Sequence, residues 1–178
     1  MTHARRGRSK LIFILGGAAS GKSQAALDLA GPGGPKAFVA TGQALDREMK
    51  ARIERHRATR SSDWETAEIP VDIAKWFNEN KHVYKVVVLD CLTLWLSNLH
   101  GCRLDGLAVS KATEDLLHAI RATKARVVIV SNELGLGLVP ATRPVRAFRD
   151  LAGRINQQVA AESDEVYITI SGLPLRLK

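Results

Sequence analysis

The chain predicts an α/β protein with a mainly parallel central sheet and helices on both faces. Two observations carry this prediction. Short β-branched runs alternate with longer helical patterns along the 178 residues, and the first run leads directly into a glycine-rich segment that opens a helix. In addition, Val86-Val87-Val88-Leu89 and Val127-Val128-Ile129-Val130 are unbroken apolar runs, as strands covered on both faces require.

Strands are predicted at Leu11 to Leu15, Lys36 to Ala40, Lys85 to Asp90, Arg126 to Ser131 and Glu165 to Ser171. Between them, helical patterns run over Lys22 to Leu29, Ala44 to Arg57, Val71 to Asn78, Leu107 to Ala122 and Arg143 to Ala161. The last has Pro144 near its first turn and an apolar stripe of Val145, Phe148, Leu151, Ala152, Ile155 and Val159. Its length fits one domain, at 11 to 178, behind a basic and disordered tail at 1 to 10.

The first strand is followed by Gly16-Gly17-Ala18-Ala19-Ser20-Gly21-Lys22-Ser23, a complete G-x-x-x-x-G-K-S sequence. Glycines let the backbone fold around an oxyanion, and the helix N-terminus attracts it. Lys22 reaches the β- and γ-phosphates, and the Ser23 hydroxyl ligates magnesium. The fold expectation is therefore P-loop NTPase-like. An incidental glycine-rich turn is the weaker reading, because the full spacing stands where a strand meets a helix. Gly135 and Gly137 make only a G-x-G fragment, too little for a dinucleotide site.

Lys85 to Asp90 is an apolar strand ending in a carboxylate, the form of a Walker B segment, in which Asp90 helps to hold magnesium. The competing reading makes Asp90 a cap for a helix beginning near Leu92. If Ala44 to Arg57 is one helix, Leu45, Met49, Ile53 and His56 share a face, joined by Arg52. A histidine on an apolar face is usually a core residue. Here Arg52, Arg55, Arg57 and Arg60 crowd around it, a concentration of charge that calls for phosphate. Cationic neighbours also keep an imidazole neutral and nucleophilic. His3, His82, His100 and His118 have no such setting.

Net charge is +8, but Arg5, Arg6, Arg8 and Lys10 supply half of it within a segment that contains no acid. The remainder suits a protein that handles phosphates rather than a nucleic-acid groove binder. No apolar run is long enough for a membrane span and no signal-peptide core is present, so a cytoplasmic location is expected. Cys91 and Cys102 have neither disulfide-framework nor zinc spacing.

Ordered motifs from Leu11 to Lys178 go further. They include the P-loop, Thr41-Gly42-Gln43 followed by Leu45-Asp46-x-Glu48-Met49, Arg52-Ile53-x-x-His56, Trp64-Glu65-Thr66-Ala67-Glu68, and Asp90-Cys91-Leu92-Thr93. Asn132-Glu133-x-Gly135-x-Gly137-x-Val139-Pro140 and the stretch from Phe148 to Gln157 follow, then Asp164-Glu165-Val166-Tyr167 before Ser171-Gly172. In these the chain resembles the bifunctional adenosylcobinamide kinase and adenosylcobinamide-phosphate guanylyltransferase family of cobalamin biosynthesis.

The resemblance implies two reactions. The cobinamide hydroxyl takes the γ-phosphoryl of ATP or GTP, and GTP then delivers GMP to that phosphate through a guanylyl-histidine, releasing pyrophosphate. It puts the nucleophile on His56. Nucleotide contacts fall on Gly16, Gly17, Ala18, Ala19, Ser20, Gly21, Lys22 and Ser23, on Thr41, Gly42 and Gln43, on Arg57, Ala58, Thr59 and Arg60, and on Glu68 and Asp90. It also implies a homo-oligomer, a trimer in the family. Arg55 stands where some members carry a second histidine, and Ala19 where an arginine is common. A plain P-loop small-molecule kinase, with His56 a bystander, is the alternative. The chain also predicts that Asn132, Glu133 and the loop from Gly135 to Val139 lie beside the active site, since ligands of open α/β sheets sit beyond the strand carboxyl ends.

Overall fold

The computed structural model describes residues 9–44, 46–58, 61–102 and 104–178; the side chains of Arg52 and of residues 55–58 lie outside that description. Strand β1 (Lys10–Gly16) shows how the layers arise, because its side chains alternate. Leu11, Phe13 and Leu15 join one buried cluster, while Ile12 and Ile14 join another on the opposite face.

The remaining elements are α1 (Lys22–Ala30), β2 (Lys36–Ala40), α2 (Arg47–Ala58), β3 (Trp64–Glu68), α3 (Ile73–Glu79), β4 (Val86–Asp90) and α4 (Leu92–Gly101). Then come α5 (Gly106–Arg121), β5 (Arg126–Asn132), α6 (Arg143–Glu162), β6 (Glu165–Ile170) and β7 (Leu173–Arg176). The sheet order is β3-β2-β4-β5-β1-β6-β7, parallel throughout except for the β6–β7 hairpin. Helices α3 to α6 cover the face of Leu11 and Phe13 through residues such as Phe77, Trp95, Leu116 and Ile155. Ala25, Ala26 and Ala30 of α1 pack on the other face. Small residues there let the helix that follows the P-loop lie close to the sheet.

The expected α/β architecture holds, with several local differences. Helix α2 starts at Arg47, not Ala44, because the Met49 amide donates to Asp46 Oδ1 at 2.7 Å and makes Asp46 the cap. Strands β3 and β7 had no apolar run to announce them. Both are edge strands, and β7 is exposed along its whole length. The β7 signal was the two-residue turn Ser171-Gly172, both at positive φ, between alternating Ile168, Ile170 and Leu173, Leu175.

Val145 stands 52% exposed, so the apolar stripe of α6 reaches the core only from Phe148 onward. Residues 1–8 of the basic tail lie outside the described residues. Ser9 is buried and Lys10 already belongs to β1, paired with Glu165 at 2.7 Å, so the folded chain begins before the expected boundary at residue 11. The physical reason is Arg121, whose guanidinium holds the Ser9 carbonyl at 2.9 Å.

Candidate nucleotide site

Parallel pairing lines up the strand tips. Gly16 pairs with Asn132, and Ala40 pairs with both Asp90 and Glu68, so these residues share the carboxyl edge of one sheet. The loop Gly17–Gly21 turns there into α1. Gly21 caps the helix at φ +89°, and the Lys22 ammonium donates to the Gly17 carbonyl at 2.8 Å, closing the loop on itself. Only glycine fits at position 16: a Cβ would stand 2.4 Å from Ser20 Oγ and 2.8 Å from the Thr169 carbonyl. The Gly172 amide donates to the Ser20 carbonyl at 2.8 Å, so the β6–β7 turn braces the loop from behind.

An open cleft lies at this edge. Lys22, Ser23, Asp90 and Asn132 supply its polar side; Phe38, Met49, Ile53 and Leu94 supply an apolar wall. This is the composition of a small-molecule site, in which a few polar groups orient a ligand against apolar surface. Asp90 does not cap α4. The N-cap residue is Cys91 and no side chain caps that end, which leaves the carboxylate to the cleft.

Of Thr41, Gly42 and Gln43, only Gly42 lines the cleft. Thr41 is fully buried, and its hydroxyl donates to the Cys91 carbonyl at 2.7 Å while accepting from the Cys91 amide at 2.9 Å. Its contribution is to tie the tip of β2 to the tip of β4. Glu68 is exposed at the end of β3, two interstrand spacings or about 10 Å from the tip of β4.

His56 falls in the last turn of α2. Met49 and Ile53 of the same helix line the cleft, and position 56 follows at the spacing that keeps one helix face. The side chains of His56, Arg57 and Ala58 lie outside the described residues, as do Thr59 and Arg60 entirely. The structure thus brings together the P-loop, Gly42, Asp90 and Asn132.

Sequence reasoning missed residues that act from behind. Asn98 of α4 donates to the carbonyls of Thr41 at 2.9 Å and Pro70 at 2.8 Å, and Trp95 Nε1 donates to the Val71 carbonyl at 2.7 Å. These bonds hold the loops leaving β2 and β3. The available signal was a polar residue within an apolar helix.

Cys91 also lines the cleft, but burial, with the Asp90 charge beside it, pushes its thiol up to about 12. It is therefore no nucleophile near neutral pH. Cys102 is exposed. In the folded protein at pH 8, iodoacetamide is expected to label Cys102 alone, with Cys91 reacting only after denaturation. Rapid labelling of Cys91, read by peptide mass spectrometry, would contradict this.

Known proteins resemble this chain along most of its length. Residues 12–177 match the family model described as cobinamide kinase / cobinamide phosphate guanyltransferase. The chain belongs to that family. It is 38% identical to the bifunctional adenosylcobalamin biosynthesis protein CobU of Escherichia coli, over 94% of this chain and 99% of that one. It is 42% identical to the bifunctional adenosylcobalamin biosynthesis protein CobP of Pseudomonas aeruginosa, over 93% and 96%. Among solved structures, a KaiC-like protein from Pyrococcus horikoshii superposes with a TM-score of 0.51 at 11% identity, covering 90% of this chain and 71% of that one. A type III secretion ATPase does so with 0.53 at 14% identity, covering 91% and 51%. These two establish the P-loop NTPase-like fold alone. As a member of the cobinamide kinase / cobinamide phosphate guanyltransferase family, the protein is an enzyme of cobalamin biosynthesis.

Proposed function

We propose that the protein phosphorylates adenosylcobinamide with ATP or GTP and then transfers GMP from GTP to adenosylcobinamide phosphate through a guanylyl-histidine on His56. The observation that carries the reading is one cleft lined by the P-loop residues Lys22 and Ser23, by Asp90, and by the face of α2 on which position 56 follows Met49 and Ile53. Gly16 to Ser23 bind the triphosphate. In the first reaction the cobinamide hydroxyl oxygen attacks the γ-phosphorus, and the bond to the β-bridging oxygen breaks, leaving the nucleoside diphosphate. In the second, the His56 imidazole attacks the α-phosphorus of GTP and pyrophosphate leaves in the P-loop. A phosphate oxygen of adenosylcobinamide phosphate then attacks the same phosphorus, the P–N bond breaks, and adenosylcobinamide-GDP is released.

Arg57 to Arg60 supply positive charge around this transfer. Gly42 borders the nucleotide, and Glu68 accepts hydrogen bonds from N1 and N2 of guanine. Magnesium fits the donors present. Ser23 and Asp90 offer a hydroxyl and a carboxylate in the lining of one cleft. Among the described residues no group of three or more His, Cys, Asp or Glu forms a metal cage, which suits an ion held largely by phosphates and water. When bound, that ion neutralises charge on the phosphates.

Among the described residues no helix is long and apolar enough to cross a membrane; a cytoplasmic enzyme is part of the reading. So is a homo-oligomer. Ile170, Leu173, Leu175 and Leu177, exposed on and beside β7, offer apolar surface for such contacts.

The testing experiment is incubation with α-labelled GTP. Denatured protein is expected to retain about one label per chain in an acid-labile, base-stable bond, and added adenosylcobinamide phosphate should discharge it. Protein that phosphorylates adenosylcobinamide yet retains no label would favour the plain kinase.

A further inference from the structure

We propose that the loop from Leu136 to Val139 receives the corrin macrocycle of the acceptor, holding it outside the cleft while only its hydroxyl-bearing arm enters. The inference rests on the reaction proposed above and adds to it a place for the bulk of the substrate.

Cobinamide is much larger than the group that reacts. Its corrin ring is a broad body of ring carbons and methyl groups rimmed by uncharged amides, and the hydroxyl to be phosphorylated stands at the end of one flexible arm. The cleft must already hold a nucleoside triphosphate between the P-loop and Asp90. The macrocycle is therefore left at the rim. The surface that receives it has to be apolar, free of charge and continuous with the cleft.

The segment after β5 has these properties. It leaves from Asn132, which lines the cleft, and Leu136 follows four residues on, at most roughly 14 Å away even along an extended chain. From Leu134 to Thr142 no residue is charged. Leu136, Leu138 and Val139 are 78%, 96% and 69% exposed, and Val145, in the first turn of α6, stands exposed shortly after them. Apolar side chains gathered in this way mark a surface that a ligand or partner covers.

Both stems of the loop are tied down. The Glu133 amide donates to the Gly16 carbonyl at 3.0 Å, the Gly135 amide donates to Glu133 Oε1 at 2.8 Å, and Leu134 packs against the core. On the return side, the Arg146 guanidinium donates to the carbonyls of Pro140 at 2.9 Å and Ala141 at 2.7 Å. A slack loop would fold its leucines onto the nearest apolar surface. These ties hold them in water instead, at a cost that binding an apolar body recovers.

A second exposed apolar cluster, on and beside β7, is badly placed for this task. Strands β6 and β7 follow β1 on the side away from β4 and β5, whose tips line the cleft. An arm tethered there would have to cross the P-loop. A second copy of the chain, for its part, needs no continuity with the cleft, whereas the acceptor does.

The test measures kinase kinetics with adenosylcobinamide and GTP in wild type, Leu136→Ser, Leu138→Ser, Leu138→Met and Val83→Ser. Val83 is an exposed apolar side chain just before β4, at the opposite end of the strands. Each serine variant in the loop should raise KM for adenosylcobinamide roughly ten-fold, as loss of one leucine contact implies. In the same variants KM for GTP, and the label retained from α-labelled GTP without corrinoid, should stay within about two-fold of wild type. Leu138→Met, which keeps the apolar bulk, and Val83→Ser should match wild type. Unchanged KM for adenosylcobinamide in both loop variants, an equal rise in KM for GTP, or an equal rise in Val83→Ser would overturn the proposal. So would a smaller mass by light scattering in Leu136→Ser or Leu138→Ser, which would make the loop a contact between copies of this chain. A wild type inactive toward adenosylcobinamide would instead overturn the reaction proposed above, and the proposal with it.

Discussion

His56→Ala is expected to abolish GMP transfer while leaving cobinamide phosphorylation measurable. The two chemistries make unequal demands on the protein. Guanylyl transfer through an enzyme intermediate needs a nucleophile that attacks the α-phosphorus and then leaves, and a neutral imidazole meets both demands because a phosphoramidate stays reactive. Transfer of the γ-phosphoryl to an alcohol needs chiefly positioning and charge stabilisation from the loop, Lys22 and the bound cation. Deleting a nucleophile should lower guanylylation by roughly four to six powers of ten, as it does in other enzymes with covalent intermediates. Kinase turnover should stay within about ten-fold, since His56 then loses at most one binding contact. Retained label from α-labelled GTP and turnover with adenosylcobinamide are the paired measurements. Equal labelling of wild type and His56→Ala would remove His56 from its role, whatever became of the P-loop.

Lys22→Ala is expected to depress both reactions together. The Lys22 side chain is buried beneath the loop, 7% exposed, and its ammonium is held at the Gly17 carbonyl, so it enters the site already ordered. Both reactions seat a triphosphate in the same loop, and both develop charge on the phosphates that this ammonium faces. Removing one preorganised contact of that kind typically costs about a hundred- to a thousand-fold in rate. Near-normal turnover of either reaction in the folded variant, verified by circular dichroism, would show that the two reactions do not share this site. Together the variants separate seating, which both steps need, from covalent capture, which only one needs.

Much of this was legible in the chain because it is encoded locally. A parallel strand buried on both faces must be apolar throughout, so β1, β4 and β5 showed themselves as runs. A phosphate loop needs glycine where backbone crowds backbone, as at Gly16, and that requirement is written in consecutive residues. Edge strands are under neither constraint. Trp64–Glu68 and Leu173–Arg176 pair on one side only, and their alternation is too short to stand out from loop sequence.

That Met49 and Ile53 share a face of α2 was likewise readable from periodicity. Its start was not, because Asp46 competes for the first amides through its side chain and moves the boundary three residues along.

By itself the sequence determined the α/β class, the P-loop at Gly16 to Ser23, the carboxylate Asp90 and the motifs that carry the family. Each is a statement about neighbours in the chain. Tertiary structure alone decided the strand order, which sets Asn132 and Asp90 on neighbouring strands and Glu68 two strands beyond Asp90. It also decided that Thr41 works from within, clamped to Cys91 fifty residues away. A closed circuit of hydrogen bonds joining Thr93, Ser131, Asn156 and the Asn132 peptide is of the same kind. Hydrogen bonds act only over about 3 Å, and no local pattern says which distant polar side chains folding will bring within that distance.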